Sequence, residues 1–291
     1  MLFHSSYTAL LTPFKDNKVD YSSYKELIDF QINNGTHGLV PVGTTGESPT
    51  LSHDEHKKLI EVCIEQSNGR VPVIAGAGSN STSEAVDFVK HACSAGADGL
   101  LVVTPYYNKP TQSGLLAHYK ELIKHTSKPI IIYDIPGRSV IQMTDKTMAE
   151  LAQDQFIVGV KDATADLTRP TRLQNIIGDN FIQFSGEDGT ALAYLAAGGH
   201  GCISVTANIA PNLLSRMHNA WKQGDINTAQ EINKKLMPLH DALFCETSPG
   251  PLKYAASLLG ICSSDARLPI VEIEEDSKLK VKDALKKTGL I

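Results

Sequence analysis

A closed (β/α)8 barrel is the fold that this sequence predicts, from a repeat, from the apolar character of its short segments and from the chain length. Short apolar or β-branched runs stand at residues 8–11, 38–42, 71–75, 99–103, 130–133, 157–161, 181–184 and 202–205. Between them lie amphipathic stretches of helical period, each long enough for a crossover helix. Near-continuous apolar strands alternating with helices indicate a parallel sheet covered by helices. Eight such units favour closure over an open doubly wound sheet, and no G-x-G-x-x-G follows the first run. The 291 residues fit one barrel with some chain to spare.

Helix punctuation supports the parsing. Asp20 is placed to cap a helix over 21–34 that Gly35 ends. Ser52 and Glu55 have capping-box spacing before a helix over 53–66, and Ser81 and Glu84 repeat it before 85–95. Thr144 opens a further helix. The expected organisation is a catalytic barrel over 1–210 and a helical region over 211–291 packed on it, with no flexible linker between.

Composition narrows the function classes. At 42% hydrophobic and 20% charged residues, the chain has enough apolar material for a large core. A net charge of −5 without any block of like charge argues against nucleic acid or an anionic membrane as partner. No apolar run approaches the ~18 residues of a membrane span. The first residues have neither a basic n-region nor an apolar h-region, so no signal peptide is expected. Five cysteines (Cys63, Cys93, Cys202, Cys245, Cys262) without CxxC spacing read as small buried hydrophobes in a reducing, cytoplasmic setting.

In a barrel the chemistry sits where strands end. Strand two ends in Gly43-Thr44-Thr45-Gly46-Glu47, strand four in Thr104-Pro105-Tyr106-Tyr107, and strand five in Tyr133-Asp134-Ile135-Pro136-Gly137-Arg138. Strand six ends in Gly159-Val160-Lys161-Asp162, and strand seven in Ser185-Gly186-Glu187-Asp188. Lys161 is the anomaly, because an amine following an apolar run is costly to bury without a purpose. An amine in its neutral form is the nucleophile for imine chemistry. The plain alternative is a surface lysine paired with Asp162, and strand position alone does not choose between them. Imine chemistry also needs a proton shuttle. Tyr133, Tyr107 and the Thr44 hydroxyl are suitable groups on neighbouring strand ends, although each tyrosine alone also reads as a rim residue. The Arg138 fork suits a carboxylate. Thr45 in its Gly-flanked turn suits a second one, unless Gly43 and Gly46 serve only a tight turn. His53 and His56 share one helix face at i, i+3 spacing. With Glu84 as a third ligand they could hold a metal, but no fourth ligand or supporting shell is evident, and a solvated helix face or a small-molecule site suits the pair better.

Taken in order, these strings, together with Gly198-Gly199-His200-Gly201 and Leu236-Met237-Pro238-Leu239-His240, resemble the dihydrodipicolinate synthase family. The match runs from about Ala9 to the C-terminus. The resemblance implies a barrel with a C-terminal helical region, assembled as a homotetramer of two tight dimers. It implies that Lys161 forms an imine with pyruvate, and that Tyr133 relays protons through Thr44 to Tyr107 of the partner subunit. Thr45 then holds the pyruvate carboxylate, Arg138 positions Tyr133 and the carboxylate of L-aspartate 4-semialdehyde, and Gly186 and Ile203 line the site. No cofactor and no metal are implied, since the imine is itself the electron sink. The reaction so implied is the first committed step of diaminopimelate and lysine synthesis.

For lysine-inhibited members the resemblance implies a regulatory L-lysine site at Ser48, His53, His56, Asn80, Glu84 and Tyr106. Two positions depart from the family pattern: Pro49, where a smaller residue is commoner, and Asp134, where asparagine is usual. Rival functions are N-acetylneuraminate lyase or a 2-keto-3-deoxy sugar-acid aldolase, a silent barrel that senses lysine or a keto acid, and a metal-dependent aldolase. Arg138 after Tyr133-x-x-Pro136 speaks against the sugar-acid enzymes.

Overall fold

The structure is a computed structural model and describes residues 3–291. Eight parallel strands alternate with helices: β1 (Ser5–Ala9), β2 (Gly38–Val40), β3 (Ile74–Gly76), β4 (Gly99–Val103), β5 (Ile130–Asp134), β6 (Ile157–Asp162), β7 (Ile182–Ser185) and β8 (Gly201–Ser204). They form one sheet in the order β2-β1-β8-β7-β6-β5-β4-β3, the ladder of a (β/α)8 barrel. A short antiparallel hairpin, Phe14–Lys15 with Lys18–Val19, follows β1. No described helix is long and apolar enough to cross a membrane.

The strands are buried on both faces, as a parallel sheet under helices requires. Their limits differ from the apolar runs for physical reasons. β1 stops at Ala9, where the Asn208 side chain takes over the ladder: its amide donates to the Ala9 carbonyl and its oxygen accepts from Leu11 N–H. β2 stops at Val40 because Pro41 has no N–H to donate. β5 and β6 each extend one residue further than their apolar runs, so Asp134 and Asp162 lie within the ladder.

Packing divides the described residues into two compact units. One comprises Pro72–Ile203 with Phe3 and His4, and holds β3 to β7, most of β8, and the helices between them. Those helices are α3 (Thr82–Ala95), α4 (Gln112–Ile123), α5 (Asp145–Leu151), α6 (Arg169–Ile177) and α7 (Ala191–Ala196), with a single turn at Pro136–Ser139. The other comprises Ser5–Val71 and Ser204–Ile291. It holds β1, β2, α1 (Tyr21–Asn33), α2 (His53–Ser67), α8 (Pro211–Lys222), α9 (Ile226–Ala242), α10 (Gly250–Leu258) and α11 (Glu275–Thr288). Helix α8 packs on β1, while α9, α10 and α11 form a C-terminal helical extension.

Helix starts follow the expected chemistry with one correction. Asp20 caps α1 by accepting from Ser22 and Ser23 N–H, and the Ser52/Glu55 capping box opens α2. At α3 the expected second box is absent. Ser81 makes no side-chain cap bond, and Glu84 instead accepts from Ser79 Oγ at 2.7 Å. Ser79 Oγ in turn accepts from Ser81 N–H, so the nearer hydroxyl has displaced the box. All five cysteines are free, and Cys93, Cys245 and Cys262 are only half-buried rather than core hydrophobes.

Among the close-packed glycines, Gly159 faces backbone. Gly159 pairs with Ile182 across β6 and β7, and a Cβ there would stand 2.4 Å from the Ile182 carbonyl oxygen. The obstacle is backbone and cannot swing aside. Gly159→Ala is therefore expected to destabilise the protein by about 1–3 kcal/mol, read as a lowered denaturation midpoint in urea.

Candidate active site

Lys161 and Tyr133 occupy register-paired positions at the ends of β6 and β5. Both side chains are buried, Lys161 at 5% exposure, and its Nζ lies over the Tyr133 ring, 4.2 Å from the centroid. The burial removes the surface-lysine alternative. So does the company that Asp162 keeps: its Oδ1 accepts from Thr164 N–H and Oγ–H and faces Arg169, not Lys161. A buried amine against the electron-rich face of a phenol is well placed to attack a carbonyl next to a proton donor.

Behind this pair lies a network that the sequence does not announce. Arg169, at the start of α6, is fully buried. Its Nη1 donates to Asp134 Oδ2 at 2.8 Å and stands 3.5 Å from Asp162 Oδ1. Nε donates to Asp145 at 3.0 Å, and Nη2 to the Met143 carbonyl at 2.8 Å. Met143 N–H returns a bond to the Asp134 carboxylate. Asp134, the departure from the family pattern, thus points into this network. Burial pushes its carboxyl above the usual range against the opposing pull of Arg169.

Asp134 follows Tyr133 and Asp162 follows Lys161, so one guanidinium grips the residues next to both reactive groups. Removing it would leave two buried carboxylates without their shared cation. Arg169→Met is expected to cost about 3–5 kcal/mol, and Arg169→Met with Asp134→Asn is expected to recover part of it. Urea denaturation of the single and double variants measures both.

Gly186 directly follows β7, and Ile203 lies in β8. Gly186 N–H donates to the Asp162 carbonyl at 2.7 Å, and a Cβ there would meet Ala163 Cβ at 2.7 Å, so only glycine allows this approach. Ile203 is buried in β8. Arg138 sits exposed on the single turn Pro136–Ser139 after β5. Tyr107, in the loop after β4, is 87% exposed and has a left-handed φ of 73°.

Thr44 and Thr45 belong to the other unit, in the turn after β2. Gly46 N–H and Ser48 N–H donate to the Gly43 carbonyl, and Glu47 N–H donates to the Thr44 carbonyl. Val42 and Glu47 bracket the turn in left-handed conformations, φ 49° and 56°, and Val42 is β-branched. The Glu47 carboxylate is buried in an ion pair with Lys253 of α10, and its second oxygen accepts from Arg267 N–H at 3.0 Å. The Arg267 guanidinium forks onto Glu55 at 2.6 and 2.7 Å. Lys253 Nζ and that guanidinium both lie over the Phe14 ring, at 4.1 and 4.4 Å.

Hydrogen bonding from Arg267 lowers the Glu55 carboxyl from 4.5 to about 2. A depressed folded-state value gives stability that is present above the unfolded value near 4.5 and lost as pH falls toward 2. The stability gap between the native protein and Glu55→Gln is therefore expected to be wide at pH 7 and narrower at pH 3. Urea midpoints at the two pH values test this.

The expected regulatory residues fall in both units. In one, Ser48 Oγ stands 3.4 Å from His56 Nδ1 of buried His56, and His53 is exposed one turn earlier. In the other, the Asn80 carbonyl accepts from Asn108 Nδ2, Tyr106 is half-buried, and Glu84 is exposed. No group of three or more His, Cys, Asp or Glu side chains able to hold a metal occurs among the described residues.

Comparison with known proteins agrees with this geometry. Residues 2–288 match the model of the dihydrodipicolinate synthetase family. The chain is 58% identical over 290 residues to a 4-hydroxy-tetrahydrodipicolinate synthase of Rhodospirillum centenum, covering all of both chains. Among solved structures it is similar to the dihydrodipicolinate synthase of Acinetobacter baumannii complexed with pyruvate (TM-score 0.96, 40% identity, 100% of each chain). It is also similar to the Cyanidioschyzon merolae enzyme with lysine bound (TM-score 0.96, 36% identity, 100% of this chain and 99% of that one). Fold and relatives together define the chain as a barrel lyase. It belongs to the dihydrodipicolinate synthetase family.

Proposed function

We propose that the protein condenses pyruvate with L-aspartate 4-semialdehyde through an imine on Lys161, giving 4-hydroxy-tetrahydrodipicolinate for diaminopimelate and lysine synthesis in the cytoplasm. The observation that carries this reading is the buried Lys161 amine over the Tyr133 ring on register-paired strand ends. The pyruvate complex of the similar Acinetobacter baumannii enzyme supports the choice of first substrate.

In this reaction the Lys161 nitrogen attacks the pyruvate carbonyl, and water leaves to give the imine. Loss of a methyl proton yields an enamine whose carbon attacks the aldehyde, with Tyr133 supplying and accepting protons. The substrate's own amino group then displaces Lys161 and closes the ring. Thr45 holds the pyruvate carboxylate, Gly186 and Ile203 line the site, and Arg138 takes the carboxylate of the second substrate. Thr44 passes protons to Tyr107, whose near-complete exposure suits insertion into a partner subunit of a homotetramer. No cofactor or metal takes part.

Ser48, His53, His56, Asn80, Glu84 and Tyr106 form the receptor for L-lysine as feedback inhibitor, a reading supported by the lysine-bound Cyanidioschyzon merolae enzyme. In this proposed receptor the Glu84 carboxylate is a partner for an ammonium group of L-lysine.

Borohydride reduction in the presence of pyruvate is expected to add one pyruvate-derived mass to the native protein and none to Lys161→Ala. An unmodified native protein would overturn the imine. Turnover with aspartate semialdehyde and none with N-acetylneuraminate fixes the second substrate, and millimolar L-lysine is expected to slow that turnover.

A further inference from the structure

The C-terminal extension has a task that the barrel repeat does not explain. The turn carrying Thr44 and Thr45 is bracketed by two residues, Val42 and Glu47, in backbone conformations that side chains with a Cβ rarely adopt. Its internal hydrogen bonds, from Gly46, Glu47 and Ser48 N–H, close the turn on itself. Thr12 Oγ donates to the Gly46 carbonyl at 2.7 Å and holds the turn from the side of β1. Thr50 ties the far side through the Glu47 carbonyl, and the Glu47 side chain adds a hold that reaches out of the turn into the extension.

That hold acts at both oxygens of one carboxylate. Oε1 meets Lys253 of α10, and Oε2 accepts from Arg267 N–H. Two donors on two oxygens fix both the position and the rotation of the group. Lys253 has no freedom to follow the turn if it moves: it is 0% exposed, donates to the Asp265 carbonyl at 2.6 Å, and lies over Phe14. A buried ion pair contributes little to net stability compared with apolar residues of the same size. Its value here lies in geometry.

We infer that Lys253 and Glu47 are positioning residues for the substrate-carboxylate turn, so that the C-terminal extension sets where the Thr44 and Thr45 hydroxyls stand. The inference rests on the proposed function, in which Thr45 holds pyruvate. Neither residue touches substrate. Loss of the pair lets the turn relax from its strained form and withdraws Thr45 from the carboxylate it binds.

Lys253→Met, which keeps the stem and removes the charge, is expected to raise KM for pyruvate at least tenfold, while KM for aspartate semialdehyde changes less than twofold. Glu47→Gln keeps the shape and the acceptor for Arg267 N–H, and carries the same expectation if Lys253→Met does not fold. The double variant removes both buried charges together. Its melting temperature is expected to return toward the native value while KM for pyruvate stays raised, a split that a purely structural pair does not produce. Variants that melt earlier but keep KM for pyruvate within twofold of native overturn the inference. Absence of a borohydride-trapped adduct on the native protein is a separate result, which overturns the proposed function itself.

Discussion

One buried guanidinium governs the reactive end of the sheet. Arg169 is shared between Asp134, Asp162 and Asp145, and two of these acids are the residues that directly follow Tyr133 and Lys161. Adjacent strands place those two side chains at the same height, and a common cation behind them resists any slip of one strand against the other. A one-residue slip would turn the side chain on the slipped strand to the opposite face of the sheet and part the pair. The geometry of a lysine over a phenol ring is thus a consequence of charge buried one residue further along. Desolvated and paired, that charge is costly to disturb.

The turn after β2 follows the same logic with different parts. There too a side chain two or three positions beyond the polar hydroxyls is buried and charged, and its partners come from far along the chain. In both places the residues proposed to face the chemistry, a lysine and two threonines, have small or slender side chains. The residues behind them are locked by several bonds each. Rigid support behind a small reactive group is what holds catalytic atoms to within fractions of an ångström.

Most of the fold is legible in the sequence because its signals are local. Apolar runs separated by amphipathic stretches locate all eight strands, and two of the misses at strand ends trace to single side chains, Asn208 beside β1 and Pro41 after Val40, whereas the starts of β1 and β3 fall three residues from those of the runs. Lys161 stands out because an amine contrasts with the apolar run before it. Arg169 does not stand out, since an arginine beside a proline at a helix start looks like any solvated cap until its acids converge on it from three other segments. Glu84 shows the opposite failure. Its spacing from Ser81 fits a capping box, but Ser79 two residues earlier competes for the same carboxylate. Lys253 and Glu47 are invisible for a third reason, because no pattern within a window links residues so distant.

That distance has a consequence for how the molecule comes into being. The Arg267 amide and the Glu47 carboxylate it meets are 220 positions apart. Chains are made at roughly 5–20 residues per second, so the turn that carries Thr44 waits on the order of 10–40 s, about three quarters of synthesis, for its lock. During that interval the Thr44 turn has its internal hydrogen bonds and Thr12 to hold it, and lacks the tie through Glu47. The turn proposed to bind the substrate carboxylate therefore gains the Glu47 tie only once residues 253 to 267 have been made.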